Sequence, residues 1–66
     1  MIEAGDRVLL VGGGREFFVR AGPGVLSTDK GQLDLAPLVG AAAGDVFTTH
    51  LGTQFVLRIP RPIYVS

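Results

Sequence analysis

The chain has 66 residues, six basic and six acidic side chains, a formal net charge of zero and no cysteine. Apolar residues make up 47% and charged residues 18%, a balance that excludes intrinsic disorder. The lack of thiols excludes a disulfide framework and a thiolate metal site, and a neutral chain lacks the basic field on which autonomous nucleic-acid binding leans.

A chain of this size forms one small domain whose single core stabilises it only marginally. It must pack very well or lean on a partner, so a homo-oligomer or an attached domain is expected. The start Met1-Ile2-Glu3-Ala4 has neither a basic segment nor an apolar one behind it. No apolar run approaches the length of a membrane span. The expectation is a cytoplasmic protein with no membrane partner.

Glu3-Ala4-Gly5-Asp6 reads as a turn that launches a first strand, Arg7-Val8-Leu9-Leu10-Val11. Its consecutive apolar residues predict burial on both faces, as in a central or barrel strand. Gly12-Gly13-Gly14 is a natural hairpin connection, because glycine adopts positive φ without steric cost. It pairs the first strand with a second, Glu16-Phe17-Phe18-Val19-Arg20.

Ala21-Gly22-Pro23-Gly24 breaks the sheet. Val25-Leu26-Ser27-Thr28 reads as a third strand, Asp29-Lys30-Gly31 as its turn and Gln32-Leu33 as a short return strand. The one helical candidate is Asp34-Leu35-Ala36-Pro37-Leu38-Val39, with Asp34 as N-cap and Gly40 at its exit. It is one or two turns long, with Leu35, Leu38 and Val39 plugging the sheet.

Asp45 to Ile59 reads as a closing hairpin around a turn at Gly52. In its second run Phe55, Leu57 and Ile59 fall on one face, and Gln54, Val56 and Arg58 on the other. The alternate prolines of Pro60-Arg61-Pro62-Ile63-Tyr64-Val65-Ser66 predict an extended exit from the sheet. The fold expected is all-β: a small five- or six-stranded antiparallel barrel or sandwich with one short helical turn. Residues 1–59 form the domain and 60–66 a linker.

Little in this pattern carries chemistry. Gly12-Gly13-Gly14-Arg15 lacks the helix that a phosphate-binding loop places behind its glycines. His50 is the only histidine, with Asp45 the nearest carboxylate and Ser27 or Thr49 the nominal nucleophiles, and no spacing favours a base–nucleophile pair. Metal-ligand spacing is absent as well. Asp29, Asp34 and Asp45 sit where turns and caps need a carboxylate. The cations Arg7, Arg15, Arg20, Lys30, Arg58 and Arg61 are spread along the chain. They read either as a solvated surface or, for a subset, as contacts to an RNA backbone. Phe17, Phe47 and Phe55 read as core rather than as base-stacking platforms.

Several pieces occur in a telling order. They are Gly5-Asp6-Arg7-Val8-Leu9-Leu10; Gly14-Arg15 before an aromatic strand; Thr28-Asp29-Lys30-Gly31; Leu33-Asp34; and Leu38-Val39-Gly40. Gly44-Asp45-Val46, Thr48-Thr49-His50-Leu51-Gly52, Phe55 and the Pro-rich close with Tyr64-Val65 complete the set. Over nearly its whole length the chain resembles the N-terminal β domain of the S-adenosylmethionine-dependent tRNA (adenine-N1)-methyltransferases of archaeal and bacterial type. It departs from that pattern at the close, where Ile59 precedes Pro60, Arg61 precedes Pro62, and Ile63 stands where the family has an acid before its tyrosine.

The resemblance implies a non-catalytic domain that helps to position tRNA, to assemble the enzyme, or both. It implies that S-adenosylmethionine and the catalytic residues belong to a Rossmann-like methyltransferase domain beyond Ser66, with no catalytic, cofactor or metal residue in this chain. The RNA-contacting residues expected are Arg7, Arg15, Lys30 and Arg58. The alternative is a structural or oligomerisation module with no nucleic-acid role, which zero net charge and high apolarity favour.

Overall fold

The computed structural model describes residues 1–60. The linker expected over 60–66 therefore lies, beyond Pro60, outside the described residues.

The described residues form six strands: β1 (Arg7–Gly12), β2 (Arg15–Arg20), β3 (Val25–Thr28), β4 (Gly31–Asp34), β5 (Val46–Thr48) and β6 (Gln54–Arg58). All pairings are antiparallel. The strands form one four-stranded sheet, in the order β2-β1-β6-β5, and a two-stranded β3-β4 hairpin. Among the described residues the two sheets do not join into a closed ladder. This is the packed-sheet form of the expected all-β fold, and among the described residues it leaves β2 and β5 as open edges of the larger sheet.

Local chemistry explains the hairpins. Gly13 and Gly14 have φ of +58° and +75°, the two consecutive positive values that a two-residue hairpin turn with the right twist requires. They set β1 and β2 in a register that runs from Gly12 opposite Arg15 to Arg7 opposite Arg20. At the β3-β4 turn, the Thr28 hydroxyl donates to the Gly31 carbonyl at 2.7 Å and accepts the Lys30 N–H at 3.2 Å.

The core lies between one face of the four-stranded sheet and the elements laid across it. Val8 and Leu10 of β1, Val19 of β2, and Phe55 and Leu57 of β6 point into it. Leu33, Leu35 and Leu38 cover them from the other side, together with Ile2. The Ile2 N–H donates to the Ala41 carbonyl at 2.7 Å, and its own carbonyl accepts from Gly40 at 2.8 Å. The N-terminal residues are thereby tied to the segment after the helical turn, a pairing that local sequence signals did not reveal.

Four expectations need correction. β1 is central in the sheet, yet only its Val8–Leu10 face is buried, while Leu9 and Val11 stay half-buried because none of the described residues is laid across the outer face as the core elements are across the inner one. Ile59 does not continue the core face of β6. The strand ends at Arg58, and Ile59 is 45% exposed. The helical element is a single 3₁₀ turn, Ala36–Leu38, preceded by Leu35 rather than Asp34. Asp34 closes β4, and its carboxylate accepts the Ala36 N–H at 3.1 Å, an Asx-type contact one step removed from an N-cap. The backbone turns extended at Val39, so Leu35 and Leu38 plug the core and Val39 faces solvent. No helix among the described residues is long and apolar enough to cross a membrane.

Candidate functional site: a cleft at the turn end

Three loops meet at one end of the molecule: the β1-β2 turn, the β3-β4 turn and the β5-β6 loop. They enclose a cleft of about 340 Å³, within the range of small-ligand sites. Its floor is apolar. The rings of Phe17 and Phe55 meet edge to face there, with centroids 5.9 Å apart at 83°, and Leu33 and Leu51 complete the lining. Arg15 and Lys30 stand at its rim.

The sheet register explains this convergence. Arg15 is opposite Gly12 at the last pair of β1-β2, so its side chain leaves the sheet where the strands end. Lys30 sits in the β3-β4 turn, which the core packing of Leu33 holds against the same end. Asp29 comes with it. Arg15 Nη1 donates to Asp29 Oδ1 at 3.2 Å, and both side chains are about three-fifths exposed. This is the only ion pair among the described residues. It leaves Lys30 as the uncompensated cation of the cleft.

The other two cations expected to contact RNA lie elsewhere. Arg7 is at the far end of β1, opposite Arg20, in a shallow depression beside Phe18. Arg58 is exposed in β6, in register with Leu9 and on the outer face of the sheet. The four do not form one basic patch: two share the cleft and two belong to the opposite surface.

The β5-β6 loop, which contributes Leu51 and Thr53 to the cleft, is organised by Thr49, the one buried polar residue among those described. Its N–H donates to the Thr53 carbonyl at 2.8 Å, and its carbonyl accepts the Gly52 N–H at 3.0 Å. The Thr49 hydroxyl lies 2.7 Å from that of Thr53 and accepts the N–H groups of Leu51 (3.2 Å) and Thr53 (3.3 Å). These bonds account for a hydroxyl that the sequence offered as a nominal nucleophile; it shapes the loop. His50 is exposed at the corner of the same turn, and Ser27 is exposed on β3. Asp45 accepts the Ala42 N–H at 3.0 Å, a turn role. Among the described residues no group of three or more metal-ligating side chains comes together.

The arrangement can hold an anion at its rim and a flat apolar group on its floor. The signal for the rim was visible in two cations, Arg15 directly after the glycine turn and Lys30 within a turn. The floor was not, because Phe17 and Phe55 are brought together only by the pairing of β1 with both β2 and β6. No family model matches the chain, and no curated protein matches it.

Proposed function

We propose that this is a non-catalytic β domain that positions tRNA for a tRNA (adenine-N1)-methyltransferase, the family it resembles, with the contact centred on the turn-end cleft. The observation that carries this reading is the meeting of Arg15 and Lys30 over a floor of Phe17 and Phe55. Sequence-tolerant recognition of unstacked RNA uses this combination of cations for phosphate and aromatic surface for a splayed base. In this reading the methyl donor and the catalytic groups lie outside these 66 residues, in a cytoplasmic enzyme.

The test is a titration of the chain with a tRNA transcript at several salt concentrations. Reversing the charge at Arg7, Arg15, Lys30 and Arg58 together should abolish binding. Reversing Arg15 and Lys30 alone should account for most of the loss and flatten the salt dependence by roughly two counterions. Affinity and salt slope unchanged by the fourfold reversal would refute the RNA role.

A second reading, an assembly module with no nucleic-acid role, is supported by the outer face of the four-stranded sheet. Phe18 is 66% exposed and Val46 60% exposed, in a domain this small. Large exposed apolar groups gathered on one face mark interaction surfaces.

A further inference from the structure

The alternation of backbone hydrogen bonds across the sheet decides what β2 presents at its open edge. Leu57 gives both its N–H and its C=O to the β5 side, bonding Asp45 and Gly44. In an antiparallel ladder successive residues turn these groups to opposite sides. Val56 and Arg58 therefore face β1, Leu9 and Val11 face β6, and Val8 and Leu10 face β2. In β2, Val19 and Phe17 then face β1. The N–H of Ala21, which donates to the Asp6 carbonyl at 2.9 Å, fits the same alternation. Glu16, Phe18 and Arg20 are left with N–H and C=O groups directed away from the sheet. Their side chains share the outer face, and all three are exposed.

We infer that β2 pairs antiparallel with β2 of a second copy about a two-fold axis through Phe18, joining the two four-stranded sheets into one. The register is fixed by charge. Preserving the outer face allows only shifts of two residues. Of these, only the arrangement centred on Phe18 sets Glu16 opposite Arg20 of the second copy, and it does so twice. Neighbouring shifts place Glu16 opposite Phe18, or Phe18 opposite Arg20; larger ones set like charges face to face. Phe18 meets its own counterpart, and Leu9 flanks the pair on each side through its register with Phe18.

Two features of the single copy fit this partner. Arg7 and Arg20 stand directly opposite each other on the outer face, a like-charge pair that destabilises a sheet. Neither makes a salt bridge among the described residues. The incoming Glu16 would sit beside Arg20 and offset the charge of the pair. Arg20 donates one guanidinium nitrogen to the Gly5 carbonyl at 3.0 Å, which leaves its other donors for a carboxylate. Also, β2 has no proline, and its register with β1 runs without a bulge; the charges it carries at Glu16 and Arg20 are the ones that a second copy complements.

This inference deepens the assembly reading and is independent of the RNA one. It is tested by sedimentation of the chain across micromolar concentrations, with circular dichroism as the control for folding. The wild type should be a dimer whose dissociation increases with salt. Glu16→Arg and Arg20→Glu should each weaken self-association on the order of a hundredfold. An equimolar mixture of these two variants should form a heterodimer, because each chain then supplies the charges that the other lacks. Phe18→Lys should be monomeric. A wild type that stays monomeric overturns both this inference and the assembly reading. A dimer that survives the single charge reversals, or variants that fail to associate when mixed, overturns the β2 pairing and leaves assembly to another surface.

Discussion

Gly12 of β1 lies so close to the carbonyl oxygen of Gln54 in β6 that a β-carbon would overlap it, and would press on Phe55 Cδ1 at 3.0 Å. Of the three consecutive glycines, this one is needed for space rather than for turn geometry. Gly13 and Gly14 have positive φ and nothing within 4 Å of a β-carbon. Gly12→Ala should therefore lower stability by about 1–3 kcal/mol, because backbone must shift to make room. Gly13→Ala should cost about 1 kcal/mol from its left-handed conformation alone. Urea denaturation of both variants checks the order. An equal or smaller effect at Gly12 would mean that β1 and β6 separate easily at their cleft end.

The Thr49 hydroxyl supports the β5-β6 loop, so its removal should be felt there first. Thr49→Val keeps the shape but leaves the Leu51 and Thr53 N–H groups without their acceptor. A cost of about 1–3 kcal/mol follows from unsatisfied polar groups at a buried site. Thr49→Ser should retain most of the stability. Hydrogen exchange at the amides of Leu51 and Thr53 measures the local effect. Equal protection in both variants would show that the loop does not depend on this hydroxyl.

The same loop illustrates what could be read from the residues and what could not. Its two strands, its turn at Gly52 and the inward Phe55–Leu57 face follow from local alternation and glycine placement. The burial of Thr49 did not stand out, because a threonine in a turn looks the same whether its hydroxyl faces solvent or a buried amide. The β1-β2 and β3-β4 hairpins were legible for the same local reasons. The β1-β6 pairing was not, since alternation assigns faces but leaves the neighbour of a central strand open. That pairing is what brings Phe55 to Phe17 and puts Arg58 beside Leu9. Only half of the cleft could be anticipated: its cations lie in or next to turns visible in the sequence, whereas its floor depends on contacts between distant strands. Ile59 and Val39 misled for one shared reason. Periodicity continues past the residue at which pairing or helical geometry stops.

Phe55 should dominate stability, and Phe17 should report on the cleft. Phe55 is 6% exposed, and Phe55→Ala should cost about 3–5 kcal/mol. The single core of a domain this short rarely supplies more than about 3–5 kcal/mol, so that variant should be largely unfolded at 37 °C as a monomer. Phe17 is half-buried, and Phe17→Leu retains its apolar contact while removing the edge-to-face pair, a loss of about 1 kcal/mol. The folded Phe17→Leu protein can then be titrated with tRNA. Reduced affinity with an unchanged salt slope would locate a base on the floor. Unchanged affinity would confine any RNA contact to the rim.

Asp29 separates the RNA reading from a purely structural one, because the two give opposite weight to its pair with Arg15. As a stabilising contact the pair counts for little. Both side chains are about three-fifths exposed, and such ion pairs contribute at most about 1 kcal/mol. Asp29→Asn should thus leave the unfolding midpoint nearly unchanged. Its electrostatic effect on a bound phosphate is another matter. The carboxylate repels the anion and occupies Arg15, so neutralising it should raise tRNA affinity about threefold at low salt. The gain should vanish as ionic strength rises and the charges are screened. A fall in affinity instead would mean that Asp29 holds Arg15 in its binding orientation. No change at any salt concentration, together with a silent Arg15→Glu, would remove the cleft from RNA binding and leave the outer face of the sheet as the working surface of the domain.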